Sequence, residues 1–200
     1  MSTINELNAS TIRLLGSTQV ITSVFSVVKE LIENALDANA STVDVRLENY
    51  GLNKIEVRDN GCGIPSQNVP FVAKRYHTSK ITTFSDIQTV ATYGFRGEAL
   101  GSLCTVATLS ITTKTAEDDV SLTYIFNNQG QITSSHPSHL TQGTTITATD
   151  LFKNLPVRRQ FFNNVKKKKD ELKRVEDLLV AFSLILPKVR FTLIHDKERL

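Results

Sequence analysis

One segment, residues 20–38, restricts the possible folds more than any other, because its apolar residues recur at helical spacing. At about 100° of rotation per residue, one broad arc of such a helix is apolar and the opposite arc is polar. The apolar arc contains Val24, Val27, Val28, Leu31, Ile32 and Ala35. The polar arc contains Ser23, Ser26, Glu30, Glu33, Asn34 and Asp37. The pattern predicts an amphipathic helix that buries one face against a second layer.

Two strands are predicted directly after this helix. Apolar and polar residues alternate over residues 43–48, which is typical of a strand buried on one face. After a turn near residue 50, Ile55 and Val57 continue the alternation in a second strand. Asp59 has the same parity as these two residues, so we expect its carboxylate to point toward the core.

The order of the remaining elements favours an α+β fold. Periodicity predicts short helices and mobile loop over residues 66–97, a helix over 98–104, strands over 109–113, 121–126 and 144–149, a helix over 170–186 and a strand-like run over 189–195. A helix, several antiparallel strands and a second helix indicate a two-layer sandwich. In it, helices cover one face of a mixed, mostly antiparallel sheet.

Length and charge limit the class of protein. The 200 residues suffice for one domain, and the net charge of +3 permits contact with nucleic acid without requiring it. Cys62 and Cys104 are too few for a disulfide framework, so we expect an intracellular protein. No signal peptide and no apolar stretch of membrane-spanning length is present, so no membrane partner is expected. The chain ends after a strand-like run with no closing element, which predicts a fragment of a longer protein.

Glu30 and Asn34 form the first candidate constellation. They are one helical turn apart, so their side chains lie on one face. The carboxylate can take a proton from water, and the amide oxygen is a hard ligand that suits Mg²⁺. Taken alone, the pair is explained better by a solvated helix face.

Asp59 and the glycines that follow it form the second constellation. A buried carboxylate needs hydrogen-bond donors, and the exocyclic amino group of a purine is one. Gly61 and Gly63 would allow a flat ring to approach the backbone. The alternative is an aspartate that caps a tight turn, because Asp-Asn-Gly is a strong turn sequence.

A glycine-flanked loop over residues 93–100 forms the third constellation. It opens a helix, and the backbone N–H groups of Gly97 to Leu100 can cradle phosphates there. Mobile glycines can also make such a loop a lid. No Gly-Lys-Ser/Thr follows, so the spacing is not that of a P-loop. Alone, a glycine-bounded helix start is a weak signal.

Together, and in this order, the motifs resemble the ATPase of MutL-type mismatch repair proteins. These belong to the wider GHKL group, which includes DNA gyrase, Hsp90 chaperones and sensor histidine kinases and shares the Bergerat fold. The chain most resembles the eukaryotic post-meiotic segregation (PMS) type, and it lacks the Gly-Glu pair that many MutL chains carry before the first helix. The matching runs are ELIENALDA (30–38), DNGCGI (59–64), TSK (78–80), GFRGEAL (94–100), GTT (143–145) and DLFKNLPVRR (150–159).

The resemblance implies roles for individual residues. It implies Glu30 rather than Glu33 as general base, because related families are not acidic at the second position. It implies that Asn34 coordinates Mg²⁺ and that Asp59 binds the adenine amino group. The other residues implied to bind ATP are Gly63 and Thr145 at the adenine end, Thr78, Ser79 and Lys80 on the phosphate side, and Gly94, Phe95, Arg96, Gly97, Glu98, Ala99 and Leu100 in the lid.

Three functions remain open on this basis. The first is an ATPase switch: ATP closes the lid, two domains dimerise, and slow Mg²⁺-dependent hydrolysis resets them, which an intact Glu30 favours. The second is a nucleotide-gated assembly module with negligible turnover. A lone fragment of residues 1–200 favours it, because MutL-like sites usually take a phosphate-contacting lysine from the following transducer domain. The third, another GHKL protein such as a chaperone, kinase or topoisomerase, is disfavoured by the run at 150–159.

The resemblance also implies partners. These are a second MutL homologue, bound through a C-terminal dimerisation domain absent from this sequence, and MutS-type mismatch recognition proteins, in the nucleus.

The most basic stretch is residues 166–169 with Arg158 and Arg159, which would contact DNA weakly and without reading its sequence. A solvated helix N-terminus or loop is the alternative. Phe161 and Phe162 are more typical of a core than of base stacking.

Overall fold

A computed structural model describes residues 4–89, 91–94 and 96–200. Within these residues, six α-helices lie beside one sheet. The helices are α1 (Ala9–Val20), α2 (Val24–Asp37), α3 (Val69–Val72), α4 (Ala99–Val106), α5 (Pro156–Phe162) and α6 (Val165–Ile185). Short 3₁₀ turns cover Asn49–Gly51 and Phe84–Thr89.

Eight strands form the sheet in the described part of the chain. They are β1 (Thr42–Glu48), β2 (Lys54–Asp59), β3 (Thr108–Lys114), β4 (Ser121–Phe126), β5 (Ile132–Ser138), β6 (Gly143–Thr149), β7 (Arg190–His195) and β8 (Glu198–Arg199). Their order is β5-β4-β3-β6-β2-β1-β7-β8. Neighbours are antiparallel except β1 and β7, which are parallel. The predicted mixed, mostly antiparallel sheet is thus confirmed.

The core lies between one face of the sheet and the helices. The apolar arc of α2 is buried, and α2 packs on β1 and β2 and also contacts α6. Residues of opposite strand parity, such as Arg46 and Arg58, are exposed. Thr112 and Thr123 share a hydrogen bond of 2.7 Å across neighbouring strands of that outer face. The two-layer sandwich with helices on one face is therefore confirmed.

The predicted helix over residues 20–38 is α2 in the structure, and it begins at Val24 rather than at residue 20. The helical conformation is interrupted between Val20 and Val24, and Ser23 is the N-cap residue of α2. The Ser23 hydroxyl accepts a hydrogen bond from the Ser26 N–H, and the Ser26 hydroxyl accepts one from the Ser23 N–H. This reciprocal cap satisfies backbone donors that a helix start leaves unpaired, so it sets where α2 begins.

Four elements lie where no helix or strand was predicted. These are α1, β5, α5 and the short β8. Strand β5 is an exposed edge strand with little burial alternation, so it lacks the apolar pattern that identifies strands. Helix α6 begins at Val165, not at residue 170, because the Asn164 side chain caps it by accepting hydrogen bonds from the Lys166 and Lys167 N–H groups.

Among the described residues, no single helix is long and apolar enough to cross a membrane. Helices α1 and α2 together meet the length and composition criteria, but they are bent by 80° to each other.

Candidate active site

A cavity of about 1250 Å³ lies between α2, the ends of β2 and β6, and the segments before α4. It collects most of the predicted site residues, although they come from four separate parts of the sequence. Those that line it are Glu30, Asn34, Asp59, Gly63, Thr78, Ser79, Lys80, Gly94, Arg96, Gly97, Glu98, Ala99 and Leu100. Phe95 was also predicted to bind ATP, but it lies outside the described residues.

Glu30 stands on the α2 wall of the cavity. Burial raises the pKa of its carboxyl group, and the nearby Glu33 carboxylate raises it further. Lys29, Lys80 and Arg96 act in the opposite direction. Glu33 is buried and forms an ion pair of 2.6 Å with Lys29, so its charge is already partnered. Glu30 is therefore the acidic group on this wall whose basicity is enhanced.

Asn34 lies one turn further along the same wall. Its Oδ1 atom accepts a hydrogen bond of 3.0 Å from the Lys80 ammonium group. Lys80 also forms an ion pair of 2.5 Å with Asp37, the last residue of α2. An amide oxygen, a carboxylate and an ammonium group thus meet at one point of the cavity, supplied by α2 and by the segment at residues 78–80.

Asp59 ends β2 on the inward parity predicted from the sequence, with 8% of its surface exposed. Burial raises the pKa of its carboxyl group to about 6, even though two backbone hydrogen bonds lower it. The Oδ1 atom accepts those bonds, from the Gly61 N–H at 2.8 Å and the Thr144 N–H at 3.3 Å. No described residue donates to the second oxygen. Asp59 therefore closes the local turn and keeps one acceptor for a donor in the cavity.

Thr145 does not line the cavity, so its predicted place at the adenine end is wrong. It pairs with Arg58 and Thr112 in the sheet, and these residues belong to the outer face. Thr144 is buried, lines the cavity and is the neighbour of Asp59 in the register. The prediction named the residue next to the correct one. A shift of one residue along a strand turns the side chain to the opposite face of the sheet.

Two cavity glycines adopt positive φ angles that other residues rarely tolerate. Gly63 has φ of 77°, and a Cβ atom there would lie 2.2 Å from the Lys114 carbonyl oxygen. Gly97 has φ of 61°, and a Cβ atom there would lie 2.3 Å from the His77 carbonyl oxygen. The structure thus gives Gly63 a packing requirement against β3 in addition to the close approach of a base expected from the sequence.

The cavity wall also contains residues to which the sequence gave no role, and three of them carry polar or reactive side chains of interest. They are Asp37, Cys62 and Arg75. Helical spacing places Asp37 on the face of Glu30 and Asn34, so this signal was present in the sequence. No sequence pattern identified Arg75. Its guanidinium donates hydrogen bonds to the Arg13 carbonyl oxygen and to the hydroxyl groups of Ser17 and Ser102, which lie in distant parts of the chain.

The described residues contain no group of three or more His, Cys, Asp or Glu side chains that could hold a metal ion. The oxygen that suits Mg²⁺ here is Asn34 Oδ1, which accepts a hydrogen bond from the Lys80 ammonium group in this structure. Mg²⁺ usually keeps several waters and binds through one or two protein oxygens together with substrate phosphates. The donor set therefore fits a magnesium ion that arrives with a nucleotide.

The two-layer sandwich and the polar cavity beside α2 fit a nucleotide-binding domain. The chain belongs to the "Histidine kinase-, DNA gyrase B-, and HSP90-like ATPase" family, whose model matches residues 21–158. The GHKL class and the ATPase class predicted from the motifs are thereby confirmed.

Curated relatives are mismatch repair proteins. The human PMS1 protein homolog 1 is 57% identical over 192 residues, which cover 96% of this chain and 21% of the relative. The human mismatch repair endonuclease PMS2 is 39% identical over 188 residues, which cover 94% of this chain and 22% of the relative. The resemblance to MutL and PMS proteins is confirmed, and the chain spans about a fifth of the length of these relatives.

Solved structures agree with the family. The crystal structure of the N-terminal domain of a DNA repair protein has a TM-score of 0.81 and 36% identity, covering 97% of this chain and 56% of that chain. The Aquifex aeolicus MutL ATPase domain complexed with ADP has a TM-score of 0.67 and 30% identity, covering 88% and 61%. The fold is therefore that of a MutL-type ATPase domain.

Proposed function

We propose that this chain binds Mg²⁺-ATP in the cavity beside α2 and hydrolyses it slowly, as the N-terminal ATPase domain of a longer mismatch repair protein. The observation that carries the proposal is the convergence of Glu30, Asn34 and Asp59 on one cavity that the residues around Gly97 border. The similar MutL ATPase domain was solved in complex with ADP, which supports a nucleotide as the ligand. The relatives' length supports further domains in the whole protein.

The adenine end of the ligand is assigned to Asp59 and Thr144. The unshared Asp59 oxygen accepts a hydrogen bond from the exocyclic amino group of adenine. The two backbone donors on the other oxygen hold the carboxylate in place. A guanine offers a carbonyl oxygen at the corresponding ring position, and two acceptors cannot bond. The site therefore discriminates between the two purines by leaving a buried acceptor unpaired with the wrong one.

The hydrolytic step is assigned to Glu30. Its carboxylate orients a water molecule against the γ-phosphate and accepts a proton from it, which the raised pKa favours. Lys80 and Arg96 line the same cavity and offset negative charge there. When bound, Mg²⁺ neutralises charge on the phosphate oxygens. Asn34 would hold it, and the first residues of α4 line the cavity, where their backbone N–H groups would bind the phosphates.

Asn34→Ala tests the proposal. The variant should lose Mg²⁺-dependent ATP binding, because it removes the assigned oxygen ligand, and it should keep the weaker binding seen with EDTA. Calorimetric titration of the protein with ATP, once with Mg²⁺ and once with EDTA, measures both affinities. Asn68→Ala, which removes the same side-chain amide from another segment of the cavity lining, is the matched control. Equal Mg²⁺ dependence in wild type and Asn34→Ala would contradict the assignment.

A second candidate is nucleotide-gated association with negligible turnover. Helix α1 supports it, since Ile12 and Leu15 are half-exposed while Gly16, Gln19 and Val20 of the same helix line the cavity. A helix that touches both ligand and solvent can couple nucleotide binding to dimerisation. Measurement of turnover distinguishes the two functions. A protein that dimerises with ATP but releases no phosphate over many hours would support nucleotide-gated association and rule out the proposed hydrolysis.

For the whole protein we propose a second MutL homologue and MutS-type proteins as partners, and a nuclear location. The eukaryotic PMS relatives support this assignment. Non-specific DNA contact is proposed at Lys166–Lys169. Lys166, Lys167 and Lys169 form no ion pair with the described residues, which leaves their charges available to phosphates. Nuclear exclusion of the full-length protein in cells, or pull-downs lacking any MutL homologue, would argue against these proposals.

A further inference from the structure

Asp37 occupies an unfavourable position for an acidic residue. It is the last residue of α2, where the helix dipole opposes negative charge, and its side chain is only 6% exposed. Burial of a charge is costly unless several donors compensate it. A carboxylate kept at such a place is a candidate for a functional role, because local rules are most often broken at functional sites.

Three donors from two other segments satisfy this carboxylate. Oδ1 accepts from the Tyr93 N–H at 2.9 Å, and Oδ2 accepts from the Gly94 N–H at 3.2 Å. Oδ2 also pairs with the Lys80 ammonium at 2.5 Å. The single carboxylate therefore joins α2 to the segment at 78–80 and to the segment that leads into the predicted lid.

Lys80 connects this carboxylate to the proposed magnesium ligand. Its ammonium group donates to Asn34 Oδ1 at 3.0 Å while it is paired with Asp37. Gly94 packs on the same cluster: a Cβ atom there would lie 3.3 Å from Lys80 Nζ and 3.8 Å from Asn34 Oδ1. A divalent cation on Asn34 Oδ1 would repel the ammonium, so Lys80 must turn toward the phosphates when the metal binds.

We propose that Asp37 is a positioning residue, which holds Lys80 beside the phosphate subsite and ties the lid entrance at Tyr93 and Gly94 to α2. The inference rests on the proposed binding of Mg²⁺-ATP and deepens it. Asp37 need not touch the nucleotide. It keeps the ammonium within reach of both Asn34 and the phosphates, and it restricts the lid entrance before the lid closes.

The tether is tested first without nucleotide, by amide hydrogen exchange at Tyr93 and Gly94. Asp37→Ala should speed exchange at both amides. Asp37→Asn should speed it chiefly at Gly94, because the remaining amide oxygen still accepts from Tyr93. Lys80→Met should leave both protected. Asp44→Asn, which removes the same charge from β1, is the matched control. Unchanged exchange in Asp37→Ala would overturn the tether.

The positioning role is tested by calorimetry with Mg²⁺-ATP and with adenosine. Asp37→Asn and Lys80→Met should each weaken Mg²⁺-ATP about 10- to 100-fold, the value of a charge-assisted contact. The double variant should bind within about threefold of the weaker single variant, because both changes remove one ion pair. Adenosine, which uses the Asp59 end, should bind within about twofold of wild type in every variant.

Additive losses in the double variant would show that Asp37 does not act through Lys80. An equal loss for adenosine would show a merely structural role. Either result overturns the inference. A wild-type chain that binds no ATP would instead remove the proposed function, while the exchange measurement would still decide the tether.

Discussion

At the scale of the residue, Glu30 shows how the cavity changes the chemistry of a side chain. Burial and the neighbouring Glu33 carboxylate raise the pKa of its carboxyl group, while Lys29, Lys80 and Arg96 moderate the effect. A general base works best when its pKa approaches the working pH. The sequence alone left Glu30 open to interpretation as a solvated residue, and partial burial of this helix face is what the structure adds.

Glu30→Ala should retain ATP binding and lose turnover by about 100-fold or more, the usual contribution of a general base. Phosphate release and calorimetric affinity measure the two quantities separately. Glu33→Ala is the comparison, since that carboxylate is paired with Lys29 and should affect turnover far less. Wild-type turnover in Glu30→Ala would exclude it as the base.

Asp59 makes stability depend on pH. Burial raises the pKa of its carboxyl group from 3.8 to about 6, so between these values the folded chain binds a proton that the unfolded chain does not. The free energy of unfolding therefore falls as pH rises through this window and is level above it. The ionised carboxylate costs the fold about 3 kcal/mol above pH ~6.

Asp59→Asn should remove this dependence. Urea unfolding should show a variant more stable than wild type at a pH of about 7, with the difference closing toward a pH of about 4. ATP affinity should be lost, because an amide N–H₂ would face the adenine amino group. Asp44→Asn, which removes one carboxylate from the neighbouring strand β1, is the control variant. Parallel profiles for wild type and Asp59→Asn would refute the assignment of the raised pKa.

At the scale of the element, α2 and the strands β1 and β2 were predictable because their patterns are local. Helical and alternating periodicities identify which face is buried without knowledge of the partner. The break before Ser23, the edge strand β5 and the start of α6 were missed. Each depends on caps or on sheet pairing rather than on an apolar period.

The segment before α4 depends on a backbone conformation at Gly97. This residue has φ of 61°, and its carbonyl oxygen accepts a hydrogen bond of 3.0 Å from the Tyr76 N–H. Gly97→Ala should impose about 1–3 kcal/mol of strain and a clash with the His77 carbonyl oxygen. Faster amide exchange at Tyr76 and weaker ATP binding should result.

Gly94→Ala is the matched control for this change. Its φ is not positive, and the nearest atom to its new Cβ would be the flexible end of Lys80 at 3.3 Å. The control should therefore leave Tyr76 protected. If both alanine variants have the same exchange rate at Tyr76, the conformation of Gly97 is not what holds the segment.

At the scale of the whole molecule, the basic segment lies apart from the nucleotide cavity. Lys166–Lys169 form the first turn of α6, where Lys168 donates to Asn49 and Lys167 lies over the Phe161 ring. Phe162 is buried, as expected of a core residue, but Phe161 is 54% exposed. Of the two alternatives that the sequence left for this stretch, a helix start and a loop, the structure adopts the helix start.

Replacing Lys166–Lys169 by glutamine should flatten the salt dependence of DNA binding. The slope of log affinity against log salt should fall by about 0.9 for each lysine that contacts a phosphate. Lys173→Gln, whose lysine is paired with Asp177 on the same helix, should leave the slope unchanged. An unaltered slope in the fourfold variant would rule out direct contact.

The sequence by itself determined the layers of the fold, the inward parity of Asp59 and most of the site residues that the structure brings to one cavity. These follow from periodicity and from motifs that are local in the chain. Only the tertiary structure decided that Thr144 and not Thr145 faces the cavity, that β1 pairs in parallel with β7, and that Asp37 joins Lys80 to the lid entrance. The physical reason is that register and long-range contacts depend on which distant strands and segments pack together, and no local pattern encodes that choice.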